Sequence, residues 1–179
     1  MVNTQARRAR FEEFAAPLIE PLRRFLARRT DPETAQDVLS ETLLVCWRRL
    51  DDVPDDRLPW AYGVARHCLA NAERAQRRQH RLLARIRAVD PPSAVAAEPA
   101  EPPDERLHAA LRRLRPLDAE IVRLWAWEDL GPAEIAATTG LSANAVSIRL
   151  HRARGRLREE LRKLGDGAGH DIAEEGRRP

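Results

Sequence analysis

The chain has 179 residues, 33% of them charged and 43% hydrophobic, and its net charge is only +3. That length suits one ordinary domain or two small ones. Four Trp, one Tyr and three Phe are all its aromatics, and β-branched runs are scarce, which argues against a sheet. No apolar run approaches the roughly 18 residues of a membrane span, and the start MVNTQARRARFEEF lacks the apolar core of a signal peptide. The expectation is therefore a helical cytoplasmic protein without membrane insertion.

In chain order, Phe11, Phe14, Leu18, Leu22, Phe25 and Leu26 recur at helical spacing. Pro17 and Pro21 are expected to break or kink that helix early. A second helix starts at Asp31-Pro32, with Asp31 as N-cap and Pro32 in the first turn. Its apolar face is Val38, Leu39, Thr42, Leu43, Cys46, Trp47 and Leu50. The loop DDVPDDRLP follows. A long helix then runs from about Pro59 to Arg87, apolar at Trp60, Val64, Cys68 and Leu69 and basic at its far end. Cys46 and Cys68 have no metal-ligand spacing and read as buried free thiols.

Residues 88–105, AVDPPSAVAAEPAEPPDE, carry no Lys or Arg and five acids. Such a composition cannot build a core and reads as an extended linker. It separates two basic modules: residues 1–87 hold 17 basic and 12 acidic side chains, residues 106–164 hold 12 and 7. Paired basic modules suggest a polyanionic partner. Arginine supplies 30 of the 31 basic residues, Lys163 being the exception. Arginine suits phosphate, although a GC-rich genome accounts for most of such a bias.

In the second module Leu107, Ala110, Leu111 and Leu114 form a short helix ending before Pro116. Asp118 is expected to cap the next, with Ile121, Val122, Leu124 and Trp125 facing inward. Ala133 to Thr139 and Ala143 to about Leu164 are two further helices, joined by Gly140-Leu141-Ser142. Gly140 supplies a left-handed residue at a helix end, and Ser142 can cap the helix that follows. Small Ala136 and Ala137 permit a close crossing, while Ile135, Leu141, Val146 and Leu150 fill the angle. This is the pattern of a helix-turn-helix with a basic second helix. Val146, Leu150 and Leu157 then face the core, while Asn144, Ser147, Ile148 and Arg149 point outward from the end that enters a major groove. Arg149 suits a guanine edge and Asn144 an adenine edge. Arg152, Arg154 and Arg156 suit phosphates. The tail, residues 165–179, reads as disordered.

LGPAEIAATTGLSANAVSIRLHRARGRL resembles the C-terminal DNA-reading domain of bacterial sigma factors of the sigma-70 superfamily, and its EIA…GLS…V…RLHRAR…L pattern is similar to the extracytoplasmic-function group. LRPLDAEIVRLWAWEDL resembles that domain's entry helices. In the first module TAQDVLSETLLVCWRRL resembles the helix that docks on polymerase clamp helices, and WAYGVARHCLANAERAQRR resembles the helix for the downstream promoter element. The resemblance spans about residues 10–164, in order, with a linker where the family has one. It implies an all-α fold of two small helical domains. Residues 1–87 would dock on core polymerase and recognise and melt the minus-10 element. Residues 106–164 would read the minus-35 element.

Carried over by position, the resemblance places Asp37, Glu41 and Thr42 against the clamp helices of the largest polymerase subunit. It places His67 and Asn71 on the non-template strand of the minus-10 element, and the loop 51–57 where a flipped base is pocketed. Asn144, Ser147, Ile148, Arg149, Arg152 and Arg154 fall on the helix that reads the minus-35 element. Arg66, Arg74, Arg77 and Arg78 supply the positive charge of a single-strand groove. Trp60 and Tyr62 are the local aromatics, and Trp60 is more readily a core anchor than a stacking platform. So few stacking residues imply weak melting and strict promoter choice. The acidic linker corresponds to a segment threading near the RNA exit path, where acid can mimic nucleic acid. Promoter DNA, core polymerase and an anti-sigma factor are the implied partners. Ser40 stands where glutamine is common in the docking helix, His67 where asparagine is common, and Ser147 and Ile148 replace more polar or basic residues, which bears on promoter sequence and slightly on core affinity.

Two other functions compete. A one-component helix-turn-helix regulator needs a ligand pocket or receiver domain in the first module, which is basic and helical instead. A nucleic-acid enzyme would need Asp51, Asp52, Asp55 and Asp56 to hold a divalent metal, yet they flank a proline with no histidine or general base beside them. There is no phosphate-cradling glycine loop and no Ser/His/Asp or Cys/His set. The expectation is no enzyme, no metal and no cofactor.

Overall fold

The computed structural model describes residues 2–87 and 105–168, with side chains from 4 to 82 and from 105 to 164. Seven α-helices and one short 3₁₀ turn, with no strand, make up these residues. They form two compact units. The first holds α1 (Val2–Ala27), α2 (Pro32–Arg48), the 3₁₀ turn Leu50–Asp52 and α3 (Arg57–Arg87). The second holds α4 (Glu105–Arg112), α5 (Pro116–Trp127), the larger part of α6 (Pro132–Thr139) and α7 (Ala143–Ala168). No described helix is long and apolar enough to cross a membrane.

In the first unit three helices pack mutually. Pro17 and Pro21 do not break α1, which runs through both. Each interior proline costs about 3 kcal/mol. Against this, α1 buries Phe14, Leu18, Leu22, Phe25 and Leu26, at about 1.5–3 kcal/mol per side chain. Burial wins, and the prolines lie off that face, Pro17 exposed and Pro21 half-buried. α2 starts as its sequence requires: Pro32 opens it, and the Asp31 carboxylate accepts the Thr34 N–H at 3.0 Å. That hydrogen bond holds Asp31 below its ordinary pKa. α2's apolar face, Val38, Leu39, Thr42 and Cys46, is buried against its neighbours.

Both cysteines are free and buried. Burial, then the neighbouring Cys68, pushes the Cys46 thiol up to about 11. Burial also raises Cys68, against the opposing hydrogen bond of Thr42. A thiol that stays protonated is a poor nucleophile. The native chain should therefore leave both cysteines unlabelled by a thiol reagent at neutral pH and expose both in denaturant; rapid labelling of the native chain would contradict this packing. Between the ordinary thiol value and about 11 the folded chain keeps protons that the unfolded chain loses. Stability should fall as pH rises through that window.

In the second unit α4 and α5 pack on α7. Glu105, read as linker in the sequence, is the first residue of α4, and α7 continues to Ala168, past the boundary at 165. The rest of the linker and tail lies outside the described residues. Asp118 does not cap α5. The helix begins at Pro116 with Arg115 as N-cap, so Asp118 lies inside the first turn. Ile121, Val122 and Leu124 are buried as expected, but Trp125 is 37% exposed. The turn before α7 is as read: Gly140 is left-handed at φ 76°, its N–H donates to Ala136 O at 2.8 Å, and the Ser142 Oγ accepts the Ala145 N–H at 3.2 Å. Ile135 and Val146 are fully buried and Leu150 nearly so. Leu141 and Leu157 are half-buried.

Candidate nucleic-acid and polymerase interfaces

α7 presents three different sides. The buried side is Val146, Leu150 and Ala153. Opposite it, Asn144, Ser147, Ile148, His151 and Arg152 are exposed at spacings of three and four, which on a helix means one face. Ile148 is 45% exposed, unusual for a large apolar side chain. His151 lies in the middle of this face and was not singled out from the sequence. Continuing the spacing Asn144–Ser147/Ile148–His151 would have found it.

Arg149 and Arg154 do not join that face. The Arg149 guanidinium donates to the Asp118 carboxylate at 3.0 Å, and Arg156 approaches the same carboxylate at 3.8 Å. Arg154 stacks over the Trp125 ring at 4.3 Å on the other flank. There Leu107, Leu111, Val122, Trp125, Leu157 and Leu161 line an apolar groove of about 220 Å³. Periodicity identified a basic helix but not these two diversions, because each depends on a residue of α5. Elsewhere on α7, Glu160 accepts from Arg113, in the turn after α4, at 2.9 Å and from Lys163 at 2.9 Å. Those two hydrogen bonds hold its carboxyl below the usual range.

On α3, His67, Asn71 and Arg74 are exposed and fall on one stripe, which Arg78 extends. Arg66 is half-buried and lies off it. Arg77 is also off it and is paired with Glu73 at 3.5 Å. The aromatic rings of this unit are not available for open stacking. Tyr62 is buried and packs on Phe25 with centroids 4.9 Å apart. Trp60 is half-buried, edge-on to Phe14 at 6.3 Å and with Arg49 at 5.8 Å from its ring centroid. Trp60 thus packs on the core through Phe14 without being fully covered, whereas Tyr62 is a core residue.

The loop after α2 is pinned from α1. Asp51 accepts from Arg10 at 2.7 Å and from Arg7 at 2.8 Å, while the same arginines donate to the carbonyls of Leu50 and Trp47. The bonds from Arg10 and then Arg7 hold the Asp51 carboxyl below its usual pKa. Among the described residues no group of three His, Cys, Asp or Glu could hold a metal ion. Beside this loop lies a polar hollow of about 170 Å³, walled by Arg10, Glu13, Val53, Asp55 and Arg57 among others.

On α2, Asp37, Glu41 and Leu44 are exposed along one side, and Leu44 is 46% exposed. Thr42 is not part of that side. It is fully buried, and its hydroxyl donates to the Val38 carbonyl at 2.7 Å. The family resemblance placed it at the polymerase contact, but its place on the apolar face of α2 turns it inward. Leu44 was missed because it stands inside the apolar run Leu43-Leu44-Val45, where nothing local marks it as exposed.

Comparison with known proteins gives consistent findings. Residues 104–157 match the model of sigma-70, region 4. The chain is 35% identical over 154 residues to the RNA polymerase sigma-E factor of Streptomyces avermitilis, covering 84% of each protein. It is 30% identical over 171 residues to the ECF RNA polymerase sigma factor SigL of Mycobacterium tuberculosis, covering 88% of this chain and 90% of that one. Among solved structures, CnrH in complex with the cytosolic domain of CnrY is similar at 25% identity and a TM-score of 0.59, over 86% of this chain and 88% of that one. The sigma factor RpoE of Bartonella quintana, in complex with the anti-sigma factor NepR, shares the fold at 22% identity and a TM-score of 0.58, over 85% and 96% of the two chains.

Proposed function

Since the chain belongs to the extracytoplasmic-function group of RNA polymerase sigma factors, we propose a division of that family's work between its two helical units. As a sigma factor it binds RNA polymerase core and directs promoter-specific initiation. In our reading the first unit docks on core through the outer side of α2, with Asp37, Glu41 and Leu44 as the contact. A half-exposed leucine beside two acids suits an interface with an apolar contact and a charged rim. The stripe His67, Asn71, Arg74 and Arg78 on α3 follows the displaced strand of the minus-10 element. The polar hollow beside Asp51 takes an unstacked base. With no open aromatic platform on this unit, capture relies on charge and hydrogen bonds rather than stacking.

The second unit reads the minus-35 element with the outer face of α7. Asn144, Ser147, Ile148 and His151 meet base edges, and Arg152 meets a phosphate. The single observation that carries this assignment is that the exposed face of α7 begins at its N-terminal end, where a helix-turn-helix enters the major groove. An anti-sigma factor is a further partner, and the cytoplasm is the place where all these partners meet. These roles need binding alone; catalysis belongs to the polymerase.

In vitro transcription with bacterial core polymerase over a pool of promoter fragments tests the reading. Specific transcripts should appear only when the protein is added. A Leu44→Asp variant should compete for core at least 10-fold less well while keeping its helical content, since centrally buried interface residues cost 2 kcal/mol or more, about 30-fold, when removed. Unchanged competition would remove α2 as the docking surface.

A further inference from the structure

Asp118 is the least exposed acid with cationic partners in the second unit: its side chain is 9% exposed, against 40% for Arg149 and 53% for Arg156. It lies in the first turn of α5, where the helix dipole favours a carboxylate. Arg149 and Arg156 are seven residues apart on α7, so they share one flank, between the buried side and the outer face. Both guanidinium groups converge on this one carboxylate, Arg149 at 3.0 Å and Arg156 at 3.8 Å. A carboxylate offers arginine the same acceptor geometry that a phosphate does.

We propose that Asp118 acts as an internal stand-in for a DNA phosphate, occupying Arg149 and Arg156 and so limiting the indiscriminate attraction of α7 to duplex DNA. This rests on α7 being the DNA-facing helix. The sequence from Arg149 to Arg158 holds five arginines and no acid. If all five reached phosphates, affinity would rise on every sequence alike, and a promoter would stand out less against bulk DNA. Asp118 takes two of the five out of that sum. Arg152 remains on the outer face, and the face's uncharged residues are left to set preference.

The test uses holoenzyme reconstituted with bacterial core polymerase and a fluorescent duplex lacking promoter elements, titrated at several salt concentrations. Asp118→Asn keeps the shape and removes the charge; Asp118→Ala removes both. Each released arginine that reaches a phosphate should steepen the slope of log affinity against log salt by about 0.9. A fourfold drop in salt then strengthens the variant about 3.5-fold more than wild type, per arginine. Adding Arg149→Gln and Arg156→Gln to Asp118→Asn should return the slope to the wild-type value, which a merely structural role for Asp118 would not produce. In the presence of native Asp118, the same two glutamine substitutions should barely change the slope, and this arm does not depend on the Asp118 variants folding. Arg152→Gln serves as the control on α7 itself and should lower the slope by about 0.9. A normal Arg152 effect beside unchanged Asp118 variants overturns the proposal alone. An inert Arg152→Gln overturns the DNA-facing reading of α7, and the proposal with it.

Discussion

Phe25→Ala is expected to cost the first helical unit about 3–5 kcal/mol, the usual range for a large aromatic removed from a packed core. Phe25 has no exposed surface, and its ring packs on Tyr62 at 4.9 Å. Leu22 and Leu26 on either side are equally buried, so little can move in to fill the space. Total stabilities of about 5–15 kcal/mol are usual, and the loss would consume much of that. Urea unfolding followed by circular dichroism measures it as a fall in midpoint at constant slope. Leu44→Ala is the comparison: an exposed leucine on the same unit should change stability by no more than about 0.5 kcal/mol. Equal effects at the two positions would mean that the core has been placed wrongly.

Asn144→Ala and Arg152→Ala should both weaken promoter recognition, but in different ways. A side chain that makes a bidentate contact with a base contributes about 1–3 kcal/mol of discrimination, or roughly 10- to 100-fold, at one position. Asn144→Ala should therefore flatten preference at a single base pair of the minus-35 element and leave others intact. Arg152→Ala should lower affinity for all sequences alike and reduce the salt dependence, as loss of a phosphate contact does. Selection from a randomised minus-35 library by holoenzyme, followed by sequencing, separates the two. If Asn144→Ala lowers enrichment uniformly, Asn144 is a phosphate or packing residue and another member of the face reads that base. Arg149→Ala is a poorer probe of base reading, because it strands the buried Asp118 carboxylate with only Arg156 at 3.8 Å. An uncompensated buried charge is itself costly.

Much of this was legible in the residues because it is local. Asp31-Pro32 starts α2 through one carboxylate and one backbone N–H. Gly140 ends α6 because its backbone is left-handed, and Ser142 starts α7 by the same capping chemistry. The family pattern around RLHRAR lies within one helix and one turn, so it could be read along the chain without knowing the fold. Composition and spacing also sufficed for two helical units with a compositional break between them, and for two buried thiols.

What the chain could not announce were outcomes decided by competition between distant residues. Pro17 and Pro21 read as breakers, since their local cost is evident and the burial that outweighs it is not. Thr42, carried over from the resemblance as a polymerase contact, is closed and Leu44 is open, because α2 packs on both α1 and α3 and that packing fixes which side is covered. Tyr62 is a core ring rather than a stacking surface because Phe25, on another helix, lies against it. The clearest case is the arginine run of α7. Sequence alone determines that the run exists, because arginine at those positions is simply written there. Which arginines face outward was decided by tertiary structure: Asp118 draws Arg149 and Arg156 to one flank, and Trp125 draws Arg154 to the other. Charge is a property of a residue, but the partner that neutralises it belongs to the fold.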